Sequence, residues 1–331
     1  MSELSVRVLS RRLRRPFVIS TGPRTVQTAV EVRIRADGVE GVGEASGVSY
    51  LGETAEGMAA RIETVRGAIE AGVSRADLLE LLPPGGARFA LDSALWDFEA
   101  RATGRAVAEK IGVKDARAPQ LTAFTISLDT PEAMEAAARE ASGLGLLKVK
   151  LGGKDGLDGE RARAVRRGAP EATLIADANA GWTAENLARD AEALAEAGFA
   201  LLEQPLPAGA DDALIGFDSP LPLCGDESVQ SLADLDRAAE RYEFINIKLD
   251  KCGGLTHALE MRERLRRLGC SLFVGCMICG VRAIAPAFLF ARKADFVDLD
   301  GPLWLAEDET EITMDPRGML SAPPQGFWGE P

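Results

Sequence analysis

Alternation of apolar and polar residues near the N-terminus predicts an antiparallel sheet that is followed by helices. Within residues 1–48, three runs repeat apolar side chains at every second position, as strands with one buried face do. Asp37 and Gly38 separate two of these runs and are typical of a tight hairpin turn. Residues 54–112 show the three- and four-residue spacing of amphipathic helices, and one helix is expected to end at Gly104. This order of elements predicts an α+β unit.

From about Leu121 the pattern changes to short apolar strands that alternate with helical segments. Eight such strands lie between residues 121 and 300, and helices such as residues 183–198 separate them. This alternation is typical of a parallel sheet, and eight parallel strands can close into a barrel. An open doubly wound sheet is the alternative, but no G-x-G-x-x-G motif follows a first strand. We therefore predict a barrel, with the Pro- and Gly-rich tail after Asp300 packing back on the N-terminal unit.

Polar residues at the predicted strand ends indicate where the chemistry lies. Lys148 and Lys150 share one face of the strand at residues 146–151, while leucine and valine side chains share the other. Because the apolar faces pack on the outer helices, the charged faces are expected to point into the mouth of the barrel, where barrel enzymes keep their active sites. Ordinary exposed strand ends are the alternative. The strand-end positions are Thr125, Lys150, Asp177, Glu203, Asp226, Lys248, Gly275 and Asp298.

Three of these positions, on successive strands, predict a magnesium site. Asp177, Glu203 and Asp226 offer hard oxygen ligands, which suit Mg²⁺. A substrate carboxylate could bind beside such an ion, and lysines on either side could then reach the adjacent carbon. A neighbouring cation and partial desolvation are expected to lower the pKa of such a lysine toward the working range. Lys148 is a candidate source of that shift and could also bind the carboxylate itself.

Length, composition and charge narrow the classes of function. The chain has 331 residues, and its formal net charge of −13 argues against nucleic acid or an anionic membrane as a partner. An anionic substrate would need local positive charge at its site. The N-terminus has no apolar signal-peptide core, and no apolar run reaches the length of a membrane span, so we expect a cytoplasmic protein. The oligomeric state stays open, and a homo-oligomer is one outcome.

Histidine and cysteine contribute little to the predicted chemistry. The single histidine, His257, stands near the start of a helix and is expected to be a surface residue. Proton transfer must therefore rest on lysine or carboxylate groups. The five cysteines suit reduced thiols, and Cys276 and Cys279, a lone C-x-x-C pair, are expected to serve packing rather than zinc binding or redox chemistry.

The charged motifs resemble those of the enolase superfamily, specifically its muconate-lactonizing-enzyme subgroup. A lysine base that acts with Mg²⁺ is a known pattern of that superfamily. By this resemblance, Lys150 in KVK and Lys248 in NIKLDK are the opposing acid/base residues, and Lys148 assists them. The ligands of one Mg²⁺ ion that the resemblance implies are Asp177 in DAN, Glu203 in LEQP and Asp226 in GDES.

The resemblance covers nearly the whole chain and implies its architecture. The fold class is α/β, with a modified TIM barrel of the (β/α)₇β type under an α+β capping domain. The capping domain is expected at residues 1–118 and the catalytic barrel at residues 119–300. A C-terminal segment at residues 301–331 is expected to return to the capping domain.

The D-x-D motif near the end of the barrel resembles that of dipeptide epimerases. By this resemblance, Asp298 and Asp300 receive the free α-ammonium of a dipeptide, and they would repel the anionic end of a muconate. Arg24 lies in a segment similar to the substrate loop of L-Ala-D/L-Glu epimerases, where it would pair with the glutamate side chain. Thr125 is a further substrate-binding candidate. A turn-forming pair of aspartates and a solvated Arg24 are the alternatives.

The resemblance therefore implies an isomerase that acts on a small-molecule dipeptide. The implied reaction is Mg-dependent 1,1-proton transfer that inverts the α-carbon of the C-terminal residue, with L-Ala-D/L-Glu of murein peptide metabolism as the substrate. Muconate cycloisomerase, o-succinylbenzoate synthase or N-acylamino acid racemase activity is the alternative within the subgroup. A metal-dependent lyase and a non-catalytic metal- or ligand-binding barrel are the alternatives outside it.

Overall fold

The N-terminal part of the protein is a three-stranded antiparallel sheet. The structure is a computed structural model that describes residues 2–19 and 22–331. Asp37 and Gly38 both have positive φ angles, 51° and 79°, as a type I′ hairpin requires. The predicted hairpin turn is therefore confirmed. The strands of this sheet are β1 (Glu3–Ile19), β2 (Gly22–Ala36) and β3 (Val39–Ala45).

A long helix, α4 (Gly86–Thr103), lies across this sheet because a glycine of β3 leaves room for it. A Cβ atom on Gly43 would stand 2.1 Å from the carbonyl oxygen of Ala90, so no other residue fits there without a shift of the helix. The helix ends at Gly104 in a left-handed conformation, at the position that the sequence predicts. The other cap helices are α1 (Ala55–Glu63), α2 (Arg66–Glu70), α3 (Arg75–Leu81) and α5 (Val107–Lys110).

Eight parallel strands form the barrel and follow one another around it in chain order. The amide of Ala123 donates to the carbonyl of Val297 (2.7 Å), which brings the first and last strands together. Apolar side chains such as Ile175 and Phe273 fill the interior below the rim. The predicted barrel is therefore confirmed over the open sheet. Strand β4 (Gln120–Leu121) precedes the barrel strands β5 (Phe124–Ile126), β6 (Leu146–Lys150), β7 (Thr173–Asp177), β8 (Leu201–Glu203), β9 (Leu223–Gly225), β10 (Phe244–Ile247), β11 (Ser271–Gly275) and β12 (Phe296–Asp298).

Helices connect the barrel strands on the outside and give the modified (β/α)₇β arrangement. Helix α8 (Ala184–Glu196) lies where the sequence predicts one and buries Leu187, Ala191 and Leu194. After β8 a 3₁₀ turn, Asp211–Leu214, takes the place of a full helix. Among the described residues, no helix is both long and apolar enough to span a membrane. The remaining barrel helices are α6 (Pro131–Glu140), α7 (Asp158–Gly168), α9 (Leu235–Ala238), α10 (Leu249–Cys252), α11 (Leu255–Leu268) and α12 (Val281–Phe290).

The C-terminal tail packs against the cap helix α4 and against the segment that enters the barrel. Strand β13 (Met319–Leu320) pairs with β4 in antiparallel orientation. Trp328 Nε1 donates to the carbonyl of Ser93 (3.1 Å), and the amide of Gly329 donates to Asp97 Oδ1 (2.7 Å). The tail thus contacts the N-terminal unit, while the domain boundaries at residues 118 and 300 stay predictions.

One buried carboxylate holds the cap against the rim of the barrel. Asp250 Oδ1 accepts hydrogen bonds from the amides of Ser46 (2.9 Å) and Gly47 (2.8 Å), which directly follow β3. Ser46 Oγ also donates to the carbonyl of Ile278 (2.9 Å). Burial raises the pKa of Asp250 to about 7, although its two amide donors act in the other direction. These contacts place residues 46–53 beside the mouth of the barrel.

Candidate active site

A cavity of about 840 Å³ lies at the C-terminal ends of the barrel strands, beneath the cap. Barrel loops form one side of it, and the other side comes from β1, β2 and residues 46–53. Barrel enzymes bind their substrates at this face. Most of the predicted site residues line the cavity: Arg24, Thr125, Lys148, Lys150, Asp226, Lys248, Asp298 and Asp300.

Three buried carboxylates converge at one side of this cavity. Asp177 ends β7, Glu203 ends β8 and Asp226 follows β9, and the parallel register brings these ends together. One oxygen of each carboxylate lies within 4.8 Å of the others, and among the described residues no other group of three or more His, Cys, Asp or Glu side chains is as close. Glu203 Oε2 is buried and accepts no hydrogen bond, although Lys148 Nζ lies 2.7 Å away. This donor set fits the oxygen-only coordination of Mg²⁺.

The three carboxylates differ in how their charge is balanced. Burial and the neighbouring Asp177 raise the pKa of Glu203 to about 8. Burial acts on Asp177 as well, but two lysines outweigh it and hold the pKa of Asp177 below its ordinary value. In the same way, lysines lower the pKa of Asp226 against the effect of burial. The lysines therefore keep the carboxylates of Asp177 and Asp226 ionised.

Two lysines face each other across these carboxylates. Lys150 Nζ donates to Asp177 Oδ2 (2.6 Å), and Lys248 Nζ donates to Asp226 Oδ2 (2.6 Å). Strand β6 carries the first lysine and the residue that follows β10 is the second, so they stand on opposite sides of β7, β8 and β9. Both lysines line the cavity. A molecule bound between them can exchange a proton with an amine on either face.

Lys148 lies at the centre of the charged residues. Its Nζ stands 2.7 Å from Glu203 Oε2, 3.0 Å from Asp298 Oδ2 and 3.1 Å from Asp177 Oδ2. Burial lowers the pKa of Lys148, but these carboxylates outweigh burial and hold the pKa well above its ordinary value. The pKa of Lys248 is raised for the same reason, chiefly by Asp226. At Lys248 the expected lowering of the pKa is therefore not produced by the protein's own side chains, because the attraction of carboxylates, chiefly Asp226, outweighs burial.

The two aspartates of the D-x-D motif play unequal roles. Asp300 Oδ2 accepts hydrogen bonds from the amide of Thr125 (2.8 Å) and from Trp304 Nε1 (3.2 Å). Burial, followed by the neighbouring Asp298, raises the pKa of Asp300 to about 6. Asp298 pairs with Lys148 through Oδ2, while its Oδ1 is buried and accepts no hydrogen bond. Asp298 thus lines the cavity with one carboxylate oxygen that accepts no hydrogen bond, whereas Asp300 is bonded to Thr125 and Trp304.

Arg24 lies on β2 at the cap side of the cavity. It is exposed, and its Nη2 donates to Ser49 Oγ (2.5 Å) in the neighbouring cap segment. Ser20 and Thr21, which belong to the predicted substrate loop, lie outside the described residues. Arg24 therefore lines the same cavity as Lys150 and Lys248.

Several residues of the site are not assigned any role by the sequence alone. Asn246 Nδ2 donates to Glu203 Oε1 (2.8 Å), as its position on the same strand face as Lys248 could have indicated. Lys251 Nζ donates to Asp226 Oδ1 (2.6 Å), and Gln204 Oε1 accepts from the amide of Asp226 (2.8 Å). Neither residue belongs to a strand, so alternation gives no signal for them.

The predictions for His257 and the cysteines have different outcomes. His257 is partly buried, and its Nδ1 contacts Arg88 Nη2 (2.5 Å), so the prediction of a plain surface residue is wrong. The reason is that the first turn of α11 packs against α4, which carries Arg88. All five cysteines are free thiols, as expected.

Both parts of the chain match models of one enzyme family. Residues 2–112 match the N-terminal domain of mandelate racemase/muconate lactonizing enzyme, and residues 132–326 match the enolase C-terminal domain-like model. Two characterised relatives have different activities. An L-Ala-D/L-Glu epimerase of Escherichia coli is 44% identical over 89% of this chain and 92% of that protein. An N-acetyl-D-glutamate racemase of a Pseudoalteromonas species is 41% identical over 76% of this chain and 79% of that protein.

Solved structures of similar proteins contain dipeptides and metal ions. An enolase family member of Agrobacterium tumefaciens with homology to dipeptide epimerases, solved with sodium and L-Ala-L-Glu, is 41% identical with a TM-score of 0.95, covering 99% of this chain and all of that one (100%). A dipeptide epimerase of Methylococcus capsulatus, complexed with Mg and L-Arg-D-Lys, is 32% identical with a TM-score of 0.88, covering 97% and 96% of the two chains.

Proposed function

Because the chain belongs to the mandelate racemase/muconate lactonizing enzyme family of the enolase superfamily, we propose that it is a dipeptide epimerase. Its substrate is L-Ala-D/L-Glu, and it inverts the α-carbon of the glutamate residue. The observation that carries this proposal is the pair of cavity-lining amines, Lys150 and Lys248, on opposite sides of three carboxylates. An enzyme that inverts a carbon centre needs a proton acceptor on one face and a proton donor on the other.

The three carboxylates are proposed to hold one Mg²⁺ ion. Asp177, Glu203 and Asp226 supply the oxygen ligands, and their convergence within 4.8 Å supports this assignment. When bound, the ion supplies positive charge that stabilises negative charge on a substrate carboxylate. The buried Lys148 ammonium adds a second fixed positive charge at the same place.

The two opposing lysines carry the proton. One of Lys150 and Lys248 accepts the α-proton of the glutamate residue at its Nζ, and the other donates a proton from its Nζ to the opposite face. Each amine is held by one carboxylate at 2.6 Å, and both lysines line the cavity. The roles reverse for the other epimer, so the reaction runs in both directions.

Charged groups around the cavity recognise the remainder of the dipeptide. Asp298 Oδ1, which is buried and accepts no hydrogen bond, is proposed to bind the α-ammonium of the alanine residue. Asp300 and Thr125 hold this part of the rim in place through their mutual hydrogen bond. Arg24 is proposed to pair with the glutamate side chain. Local positive charge from these arginine and lysine residues offsets the net charge of −13 for an anionic substrate.

N-acylamino acid racemase activity is the second candidate, because a relative with 41% identity is an N-acetyl-D-glutamate racemase. An N-acetyl amino acid has no ammonium group. Two buried aspartates, one of them with an oxygen that accepts no hydrogen bond, would be costly beside an acetyl group but suit a cation. The dipeptide is therefore favoured. Cycloisomerase and o-succinylbenzoate synthase substrates also lack the ammonium group, which disfavours both.

Incubation of the enzyme with L-Ala-L-Glu and Mg²⁺ in D₂O tests the proposal. Loss of the glutamate α-proton signal in NMR, together with appearance of L-Ala-D-Glu, is the expected result. Lys150→Ala should abolish epimerisation, since only one face then has an amine. N-acetyl-L-glutamate in the same assay separates the two candidates. Faster exchange with N-acetylglutamate than with the dipeptide, or epimerisation by Lys150→Ala, would contradict the proposal.

A small-molecule dipeptide is the proposed partner of this chain. The absence of nucleic-acid and membrane partners, a cytoplasmic location and a homo-oligomeric state stay predictions.

A further inference from the structure

A fourth buried lysine lies beside the carboxylate group and takes no part in the mechanism above. The side chain of Lys251 is 1% exposed and stands beneath Asp226. Its Nζ donates to Asp226 Oδ1 (2.6 Å), to the carbonyl of Asp226 (2.5 Å) and to the carbonyl of Asn246 (3.0 Å). A lysine ammonium has three donors, and all three are used. Lys251 therefore has no hydrogen left with which to touch a substrate.

The same carboxylate holds the catalytic Lys248 through its other oxygen. Lys251 Nζ donates to Asp226 Oδ1 and Lys248 Nζ donates to Asp226 Oδ2, each at 2.6 Å. A carboxylate that is fixed at one oxygen by a buried, fully bonded ammonium cannot rotate without breaking that charged hydrogen bond. The direction of Oδ2, and with it the position of the Lys248 amine, is thus set by Lys251.

The opposite side of the site is built differently. Lys150 is held by Asp177, whose second lysine contact is Lys148 (3.1 Å). Lys148 also pairs with Glu203 and Asp298 and lines the cavity, so it serves the whole site. Lys251 instead contacts one carboxylate, Asp226, and of the two opposing lysines that carboxylate holds Lys248 alone.

We propose that Lys251 is a positioning residue for proton transfer on the Lys248 face alone. This inference rests on the proposed function, in which Lys150 and Lys248 act on opposite faces of the same carbon. Loss of the Lys251 ammonium should displace the Lys248 amine while Lys150 and Asp177 keep their contacts. A displacement of this kind lowers a proton-transfer rate by about tenfold to a hundredfold.

The experiment compares the initial rates of α-deuteration of L-Ala-L-Glu and L-Ala-D-Glu in D₂O at saturating Mg²⁺. The epimer that Lys248 deprotonates is identified first, as the one that Lys150→Ala still exchanges. For Lys251→Met, kcat for that epimer should fall by about tenfold to a hundredfold more than kcat for the other, with similar KM values. Lys251→Arg, which keeps the charge and the donors, should recover part of the loss.

Lys110→Met is the matched control, because Lys110 pairs with Glu99 (2.9 Å) away from the cavity. It should lower neither rate selectively. Equal loss for both epimers in Lys251→Met, or no loss, would overturn the inference, since a general effect on folding or metal binding acts on both faces. If Lys251→Met does not fold in a thermal melt, the ratio of the two rates in Lys251→Gln, which also removes the ammonium charge, decides: a ratio changed from the wild type supports the inference, and an unchanged ratio overturns it. Absence of exchange in the wild type would contradict the proposed function instead.

Discussion

Replacing Asp250 by asparagine should remove a pH dependence from the stability of the protein. Asp250 Oδ1 accepts hydrogen bonds from the amides of Ser46 and Gly47, and Asp250 thereby holds the cap against the barrel. The carboxyl group is buried, and burial, together with the charges of Glu53 and Glu44, raises its pKa to about 7. An asparagine side chain keeps an oxygen that can accept hydrogen bonds from both amides, but it carries no charge at any pH.

The magnitude follows from the difference between the folded and unfolded pKa values. The pKa rises from an ordinary 3.8 to about 7. Since one pKa unit corresponds to about 1.4 kcal/mol, ionisation of this group costs the folded state up to about 4 kcal/mol. Between pH 4 and pH 7 the folded state binds more protons than the unfolded state, so the wild type loses stability as the pH rises. Above about pH 7 both states are ionised and the loss is constant.

Urea denaturation of the wild type and of Asp250→Asn between pH 5 and pH 8 measures this effect. The stability of the variant relative to the wild type should increase up to about pH 7 and then level off. Asp315→Asn is the control, because the amide of Met319 lowers the pKa of the half-buried Asp315. Asp315 is then ionised in the folded and unfolded states above pH 5, so the stability of this variant relative to the wild type should not change between pH 5 and pH 8. Parallel stability curves for the wild type and Asp250→Asn would refute the reasoning.

Two further predictions concern recognition of the substrate. Asp298→Asn should lower kcat/KM for L-Ala-L-Glu by about tenfold to a hundredfold, because a charge-assisted hydrogen bond to the α-ammonium is lost; undiminished activity in the D₂O exchange assay would remove Asp298 from the ammonium site. Arg24→Met should reduce the preference for L-Ala-L-Glu over L-Ala-L-Gln by about tenfold, since only the former carries a side-chain carboxylate. An unchanged ratio of kcat/KM values for the two dipeptides would contradict that role.

The barrel and the residues at its strand ends could be predicted from the sequence for a simple reason. Side chains in a strand alternate between two faces, and all parallel strands of a barrel end at the same rim. The positions of Lys150 and Asp177 therefore followed from periodicity, and the register of β6 with β7 places them side by side as expected. The hairpin at Asp37 and Gly38 followed from turn chemistry in the same way.

Residues just past the strand ends could not be predicted in this way. Lys251 lies in the short helix α10, three residues after Lys248, where alternation no longer applies. Gln204 follows Glu203 with a φ of 37°, and this left-handed conformation, which periodicity does not reveal, accompanies a side chain that reaches Asp226. Contacts between cap and barrel, such as that of Asp250 with Ser46, join residues that are distant in the chain and need the folded structure to be seen.

The direction of the lysine pKa shows why a list of converging charges is not enough to predict their chemistry. The alternation of side chains along the strands shows that lysines and carboxylates lie close together. The pKa of each lysine, however, depends on how many carboxylates its amine contacts. Lys148 contacts three of them within 3.1 Å, and their attraction outweighs burial. Since an amine must lose its proton before it can accept another, these carboxylates favour the resting, charged lysine. The proposed activation of Lys248 therefore requires positive charge beyond that of Lys148, and Asp226 and Glu203, which raise the pKa of Lys248, belong to the group of carboxylates proposed to bind it.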